Sequence, residues 1–62
     1  MIRTIKMNDR QFQVGSTEVY FGHNIDGSWQ VYDAKLDAMV AEDLDTFDWA
    51  EGVAYQYVCK VR

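Results

Sequence analysis

Polar and apolar residues alternate through much of the first two-thirds of this chain. Residues 10–14 read Arg-Gln-Phe-Gln-Val, and residues 28–34 read Ser-Trp-Gln-Val-Tyr-Asp-Ala. A period of two is the mark of a half-buried strand. The last third changes period: Phe47, Ala50, Ala54, Tyr57, Val58 and Val61 recur at the spacing of one helical stripe. The pattern predicts an α+β fold: an antiparallel β-meander of three to five strands with one C-terminal helix packed across the sheet. The helix stripe and the apolar face of the sheet would complete each other, as a two-layer domain requires.

Turn residues punctuate the strands. Residues 2–7 read as a first strand, and Asn8-Asp9 as a two-residue loop that sets Ile5 opposite Phe12. Gly15-Ser16 fits a type II′ turn, pairing Phe12 with Val19 and Val14 with Thr17. Asn24-Ile25-Asp26-Gly27 is the clearest turn. A type I turn with left-handed Gly27 and a bulge pairs Phe21 with Val31 and His23 with Trp29. That register gathers Val19, Phe21, Trp29 and Val31 on one face, and a slip of one residue would scatter them. Residues 28–34 read as the central strand, residues 35–38 as a loop and residues 39–43 as a short edge strand whose acids discourage aggregation.

The helix expected next has Asp45 as its N-cap and Asp48 at the third position. Leu44 and Trp49 stand where a hydrophobic staple would. Early acids (Asp48, Glu51) and late cations (Lys60, Arg62) suit the helix dipole. Gly52 is dissonant, costing about 1 kcal/mol relative to Ala. It falls on the expected outer face.

Composition narrows the picture. The chain has 62 residues, 48% apolar, which is one domain and no room for a second. So short a chain buries only roughly 60% of the surface it exposes when unfolded and usually needs a staple. A single cysteine, Cys59, forbids an internal disulfide, and one Cys with one His, His23, cannot make a zinc site of the usual kind. Self-association is the remaining staple. An unpaired thiol fits a reducing compartment, so a cytoplasmic protein is expected. The charged first ten residues leave no place for a signal peptide, and no apolar run approaches a membrane span. The chain reads as a complete small gene product.

Charge is concentrated in one half. Residues 1–31 balance three cations against three acids, whereas residues 33–51 hold seven acids and one lysine. Nucleic acid requires a basic face, so direct binding to it is not expected. Alternate strand residues lie roughly 6.6 Å apart on one side, and phosphates along DNA advance about 3.4 Å. Glu42, Asp43, Asp45, Asp48 and Glu51 can therefore approximate a short run of phosphate charge and steer a cationic protein surface towards themselves. A solvated face that only keeps a small protein soluble is the competing account. Tyr20 and Tyr32, on the sheet face away from the helix, and Tyr55, on the outer helix face, are candidates for a dimer or partner surface.

Catalytic and ligand chemistry find little support. His23 reads as a hairpin-tip residue packed on Trp29. Cys59 sits near a helix C-terminus, which does not favour a thiolate. Asp33, Asp37, Asp43 and Asp45 lack the spacing of a calcium loop. No enzyme activity, cofactor or metal is expected.

From Gly27 the chain reads Gly-Ser-Trp-Gln-Val-Tyr-Asp, and from Leu44 it reads Leu-Asp-Thr-Phe-Asp-Trp-Ala-Glu-Gly-Val-Ala-Tyr. This resembles the three-strand-plus-helix DNA-binding domains of plant ethylene-response factors and of tyrosine-recombinase arm-binding modules. They share a Gly-x-Trp strand and a Thr-Phe entry into a packed helix. The resemblance implies the architecture. Where those sheets carry Arg and Lys, this one carries Glu18, Gln30, Tyr32, Asp33 and Glu42. In size and acidity the chain also resembles small phage-encoded inhibitors of host defence, the anti-CRISPR and anti-restriction proteins. Three functions are therefore expected, in this order. The first is a small acidic inhibitor, a DNA mimic occupying a nucleic-acid-binding surface of a host protein. The second is a homodimeric structural or regulatory module, and the third a degenerate DNA-binding domain.

Overall fold

A computed structural model of the chain describes residues 3–61. Ile2, Arg62 and the side chain of Val61, all used in the sequence reading, lie outside that description. Five strands follow in order: β1 (Thr4–Lys6), β2 (Gln11–Val14), β3 (Val19–His23), β4 (Trp29–Asp33) and β5 (Ala38–Leu44). They form one antiparallel sheet in sequence order, so β3 and not β4 is central. Helix α1 (Phe47–Val61) lies across one face, as the change of period predicts.

Alternation delivers Val14, Val19, Phe21 and Val31 to the helix side, where they are buried with Leu44, Ala50, Ala54 and Val58. Small Ala50 and Ala54 let the helix approach the sheet closely. Phe12, Phe21, Trp29 and Phe47 fill one end of this seam, with ring centroids 5.1 to 6.3 Å apart. Such stacked, tilted and edge-on pairs each add about 0.5–1.5 kcal/mol beyond burial.

The β3–β4 hairpin has the expected register, with Phe21 opposite Val31 and His23 opposite Trp29. Gly27 takes φ +92°, and Asp26 Oδ1 accepts the backbone N–H and hydroxyl of Ser28. The first two hairpins differ from expectation, each because a side chain replaces a backbone partner. Asn8 Oδ1 accepts the N–H groups of Arg10 and Gln11, and Met7 N–H reaches Gln11 O. The loop is thereby longer than Asn8-Asp9, and Ile5 faces Gln13 while Lys6 faces Phe12. This one-residue slip moves Ile5 to the open face and Thr4 under the helix.

In the second hairpin, buried Thr17 donates its hydroxyl to Val14 O and accepts Val19 N–H. The loop opens beyond Gly15-Ser16, and Phe12 pairs with Phe21 rather than Val19. That slip is two residues, so every side chain keeps its face.

The last strand is longer than residues 39–43, because Ala38 and Leu44 join it. It also carries two irregularities against β4. At the helix start, Thr46 Oγ1 accepts Trp49 N–H at 3.1 Å, so Thr46 is the N-cap and Asp45 is not. Leu44 is buried, but Trp49 is 51% exposed, so the expected staple between them does not form.

Asp33 fastens the opposite end. Its carboxylate accepts the Tyr57 hydroxyl at 2.5 Å and the N–H of Lys35 at 3.0 Å. The Tyr57 bond is the chief reason its carboxyl is held below the usual range, and the same bond raises Tyr57.

Candidate functional site

In a meander, alternate connections share an end. The β1–β2 loop, the β3–β4 turn and the link from β5 to α1 therefore lie together, with the helix N-terminus. Four of the predicted acids are at this end. Glu42 and Asp43 close β5, Asp45 occupies the link and Asp48 lies in the first helical turn.

Local backbone geometry exposes both strand acids. Strict alternation would bury one of two neighbours. Here Asp43 adopts φ +59° within the irregular stretch opposite Trp29 and Val31. Aspartate tolerates this left-handed conformation better than most residues. The extra residue leaves Glu42 and Asp43 both exposed and returns Leu44 to the core at 6% exposure.

Glu42, Asp43, Asp45 and Asp48 are all exposed. Among the described residues none of their carboxylates takes part in an ion pair or a hydrogen bond, the one ion pair being Lys6–Asp9 at 3.7 Å. They supply four negative charges, as many as the chain's net −4. Asp48 alone has an internal use, since an acid in the first turn favours the helix dipole.

Trp49, expected in a staple with Leu44, is another residue that the structure places differently. It follows Asp48, its backbone is fixed by the Thr46 cap, and half its surface faces solvent. An exposed indole beside unpaired acids is a typical anchor for a protein partner, Trp being among the residues richest in interface binding energy. The signal available in sequence was its place outside the helical stripe.

Glu51 differs from the other four acids. It is half-buried, and its carboxylate accepts the Thr4 hydroxyl at 2.6 Å. With that proton committed, the Tyr55 hydroxyl donates to Thr4 Oγ1 at 2.7 Å. The chain Tyr55–Thr4–Glu51 ties the helix to β1. Tyr55 is accordingly packed against the core and not on the outer helix face. It faces the sheet because the slip in the first hairpin brings Thr4 beneath it.

Tyr20 and Tyr32 lie on the open sheet face, directly opposite each other, and the Tyr32 hydroxyl donates to Asp37. That bond is the main cause of the raised Tyr32 pKa. With Gln11, Gly22 and Gln30 they line a shallow hollow of about 310 Å³. His23 stacks on Trp29 with centroids 4.7 Å apart, at the hairpin tip. Cys59 is exposed near the helix end. Among the described residues, no three His, Cys, Asp or Glu side chains are grouped to hold a metal ion, and no helix is long and apolar enough to cross a membrane.

No protein-family model, curated protein or solved structure matches this chain.

Proposed function

We propose that this chain is a non-enzymatic protein-binding module that docks the corner between β5 and α1 on a cationic protein surface. The observation that carries the reading is the set of four exposed carboxylates at positions 42, 43, 45 and 48, unpaired among the described residues, beside half-exposed Trp49. The carboxylates steer a basic partner into contact, and the indole supplies the desolvated anchor that charge alone lacks. Surfaces of this kind, basic with apolar recesses, are what nucleic-acid-binding proteins present. Occupying one blocks its nucleic acid, so the module acts as an inhibitor by charge mimicry, of the kind phage and mobile-element antagonists of host defence provide. Its own binding to nucleic acid is not part of the reading, since the corner has the sign of a phosphate backbone.

The test uses immobilised protein and a lysate of cells that carry the gene. One nucleic-acid-binding protein should be retained and released by rising salt or by competing duplex DNA. Replacing Glu42, Asp43, Asp45 and Asp48 by their amides should weaken retention by at least tenfold, and Trp49→Ala should do so with less salt dependence. Retention that ignores these changes, or a labelled duplex shifted by the protein alone, would overturn the reading.

A further inference from the structure

The two edges of the sheet are held in different ways. At β5, Leu44 is buried, and Val40 and Ala41 pack against the core. At β1, no residue of Thr4–Lys6 belongs to the core or to the apolar side chains packed on it. Ile5 is exposed on the open face, and Lys6 is exposed beside Asp9. Thr4 alone is half-buried, and what holds it is polar. Its hydroxyl donates to Glu51 Oε2 at 2.6 Å and accepts from the Tyr55 hydroxyl at 2.7 Å. Both partners belong to α1, so the helix grips this strand at one hydroxyl.

The backbone bonds separate β1 from the rest of the sheet as cleanly. Gly15 N–H donates to Arg3 O and Met7 N–H to Gln11 O, and Ile5 lies opposite Gln13 between them. An antiparallel ladder bonds alternate pairs, so the odd-numbered residues of β2 are bonded to β1. On the other side, His23 N–H donates to Arg10 O, and Phe12 lies opposite Phe21. The even-numbered residues of β2 are therefore bonded to β3. β1 can leave without breaking one bond between β2 and β3.

We propose that β1 is a releasable strap. It opens as a unit from the edge of β2 while the other four strands and the helix stay folded, and the Thr4 hydroxyl, seated between Glu51 and Tyr55, is the latch that holds it closed. Segments with few buried apolar contacts are the ones that open locally. Opening bares the N–H and C=O groups of Gln13 and its odd-numbered neighbours, a fresh sheet edge of the kind that accepts an extended segment. It also frees the Glu51 carboxylate from Thr4. Glu51 stands three residues after Asp48, on the same side of the helix. The open form thus adds a fifth acid to the corner, a consequence that rests on the reading of that corner, whereas the opening itself does not.

Amide hydrogen exchange on the whole chain, followed residue by residue by NMR with no partner present, tests the strap apart from the corner. Ile5, Gln13 and Gly15 should be at least about tenfold less protected than Phe12 and Phe21. Their exchange should also respond little to urea, because opening the strap exposes little surface. Three variants read the mechanism. Gly52→Ala stabilises the helix in the closed and open forms alike, so it should slow exchange at Phe12 by about fivefold and leave Gln13 and Gly15 unchanged. Thr4→Val removes the latch from the closed form alone, so exchange at Gln13, Gly15 and Phe12 should quicken by one common factor of about ten. Thr4→Ser keeps the hydroxyl and should exchange like the unaltered chain. Equal protection at Gln13 and Phe12, or a Gly52→Ala chain in which both slow together, means that β1 leaves only when the whole domain unfolds and overturns the strap. Unchanged exchange in Thr4→Val overturns the latch.

Discussion

The seam between helix and sheet and the corner where β5 meets α1 are built on opposite terms. In the seam, Phe21, Val31, Ala50 and Ala54 are sealed from water, and every buried polar side chain among the described residues has a partner. At the corner, four carboxylates lack partners among the described residues and an indole stands half in solvent. Both come from neighbouring stretches of chain: Leu44 is buried while Glu42 and Asp43 are exposed, and Ala50 is buried while Trp49 is exposed. The difference teaches where to look for function in so small a domain. The fold is held by the satisfied side, and of the corner's exposed groups it uses only the charge of Asp48, at the helix N-terminus.

Substitutions can break or sharpen this contrast. The largest effect is expected from Phe21→Ala. Phe21 stacks on Phe12 and meets Trp29 and Phe47, and it is 1% exposed. Its truncation should cost about 3–5 kcal/mol, enough to unfold much of a domain whose total stability is about 5 kcal/mol. Urea denaturation followed by Trp fluorescence would report it.

A smaller effect concerns the Asp33–Tyr57 bond. The folded-state pKa of Asp33 is lowered, so its contribution is complete above the ordinary carboxylate pKa near 4 and is lost as pH falls through the folded value. Tyr57 is raised, so its contribution is complete below the ordinary phenol pKa near 10 and is lost as pH rises through the folded value. Tyr57→Phe should therefore lower the melting temperature at neutral pH. It should also flatten both the acid and the alkaline limbs of the stability profile. A parallel loss at every pH would mean that the bond is only a packing contact.

The smallest effect has the opposite sign. A Cβ at Gly52 would meet nothing within 4 Å. Gly52→Ala should raise stability by up to about 1 kcal/mol, read as a higher denaturation midpoint.

Legibility in the sequence followed the same contrast. The β3–β4 hairpin was readable because its turn residues and the apolar alternation of both strands specify one register. In β1, Thr4-Ile5-Lys6 has a single apolar residue, so nothing pinned its face. Asn8 then decided the loop by capping two backbone N–H groups. Thr17 decided the next loop in the same way. Side-chain bonds of this type compete with backbone ladders and are poorly visible in a hydropathy pattern. The helix stripe was readable, but its first residue was not, since Asp45 and Thr46 are adjacent and both good caps. That one-residue difference matters at the site, because it removes Trp49 from the staple and places it in solvent. The slip of β1 likewise turns Glu51 and Tyr55 from surface candidates into a fastening for the helix.

The central claim is that the corner serves a partner and not the fold. The most direct measurement follows unfolding and partner retention on one sample carrying Glu42→Gln, Asp43→Asn, Asp45→Asn and Asp48→Asn. The expected result is a denaturation midpoint within about 1 kcal/mol of the unaltered chain, since surface changes cost little, together with loss of the captured protein. A chain that unfolds on losing these charges, or one that keeps both its stability and its partner, would contradict the account.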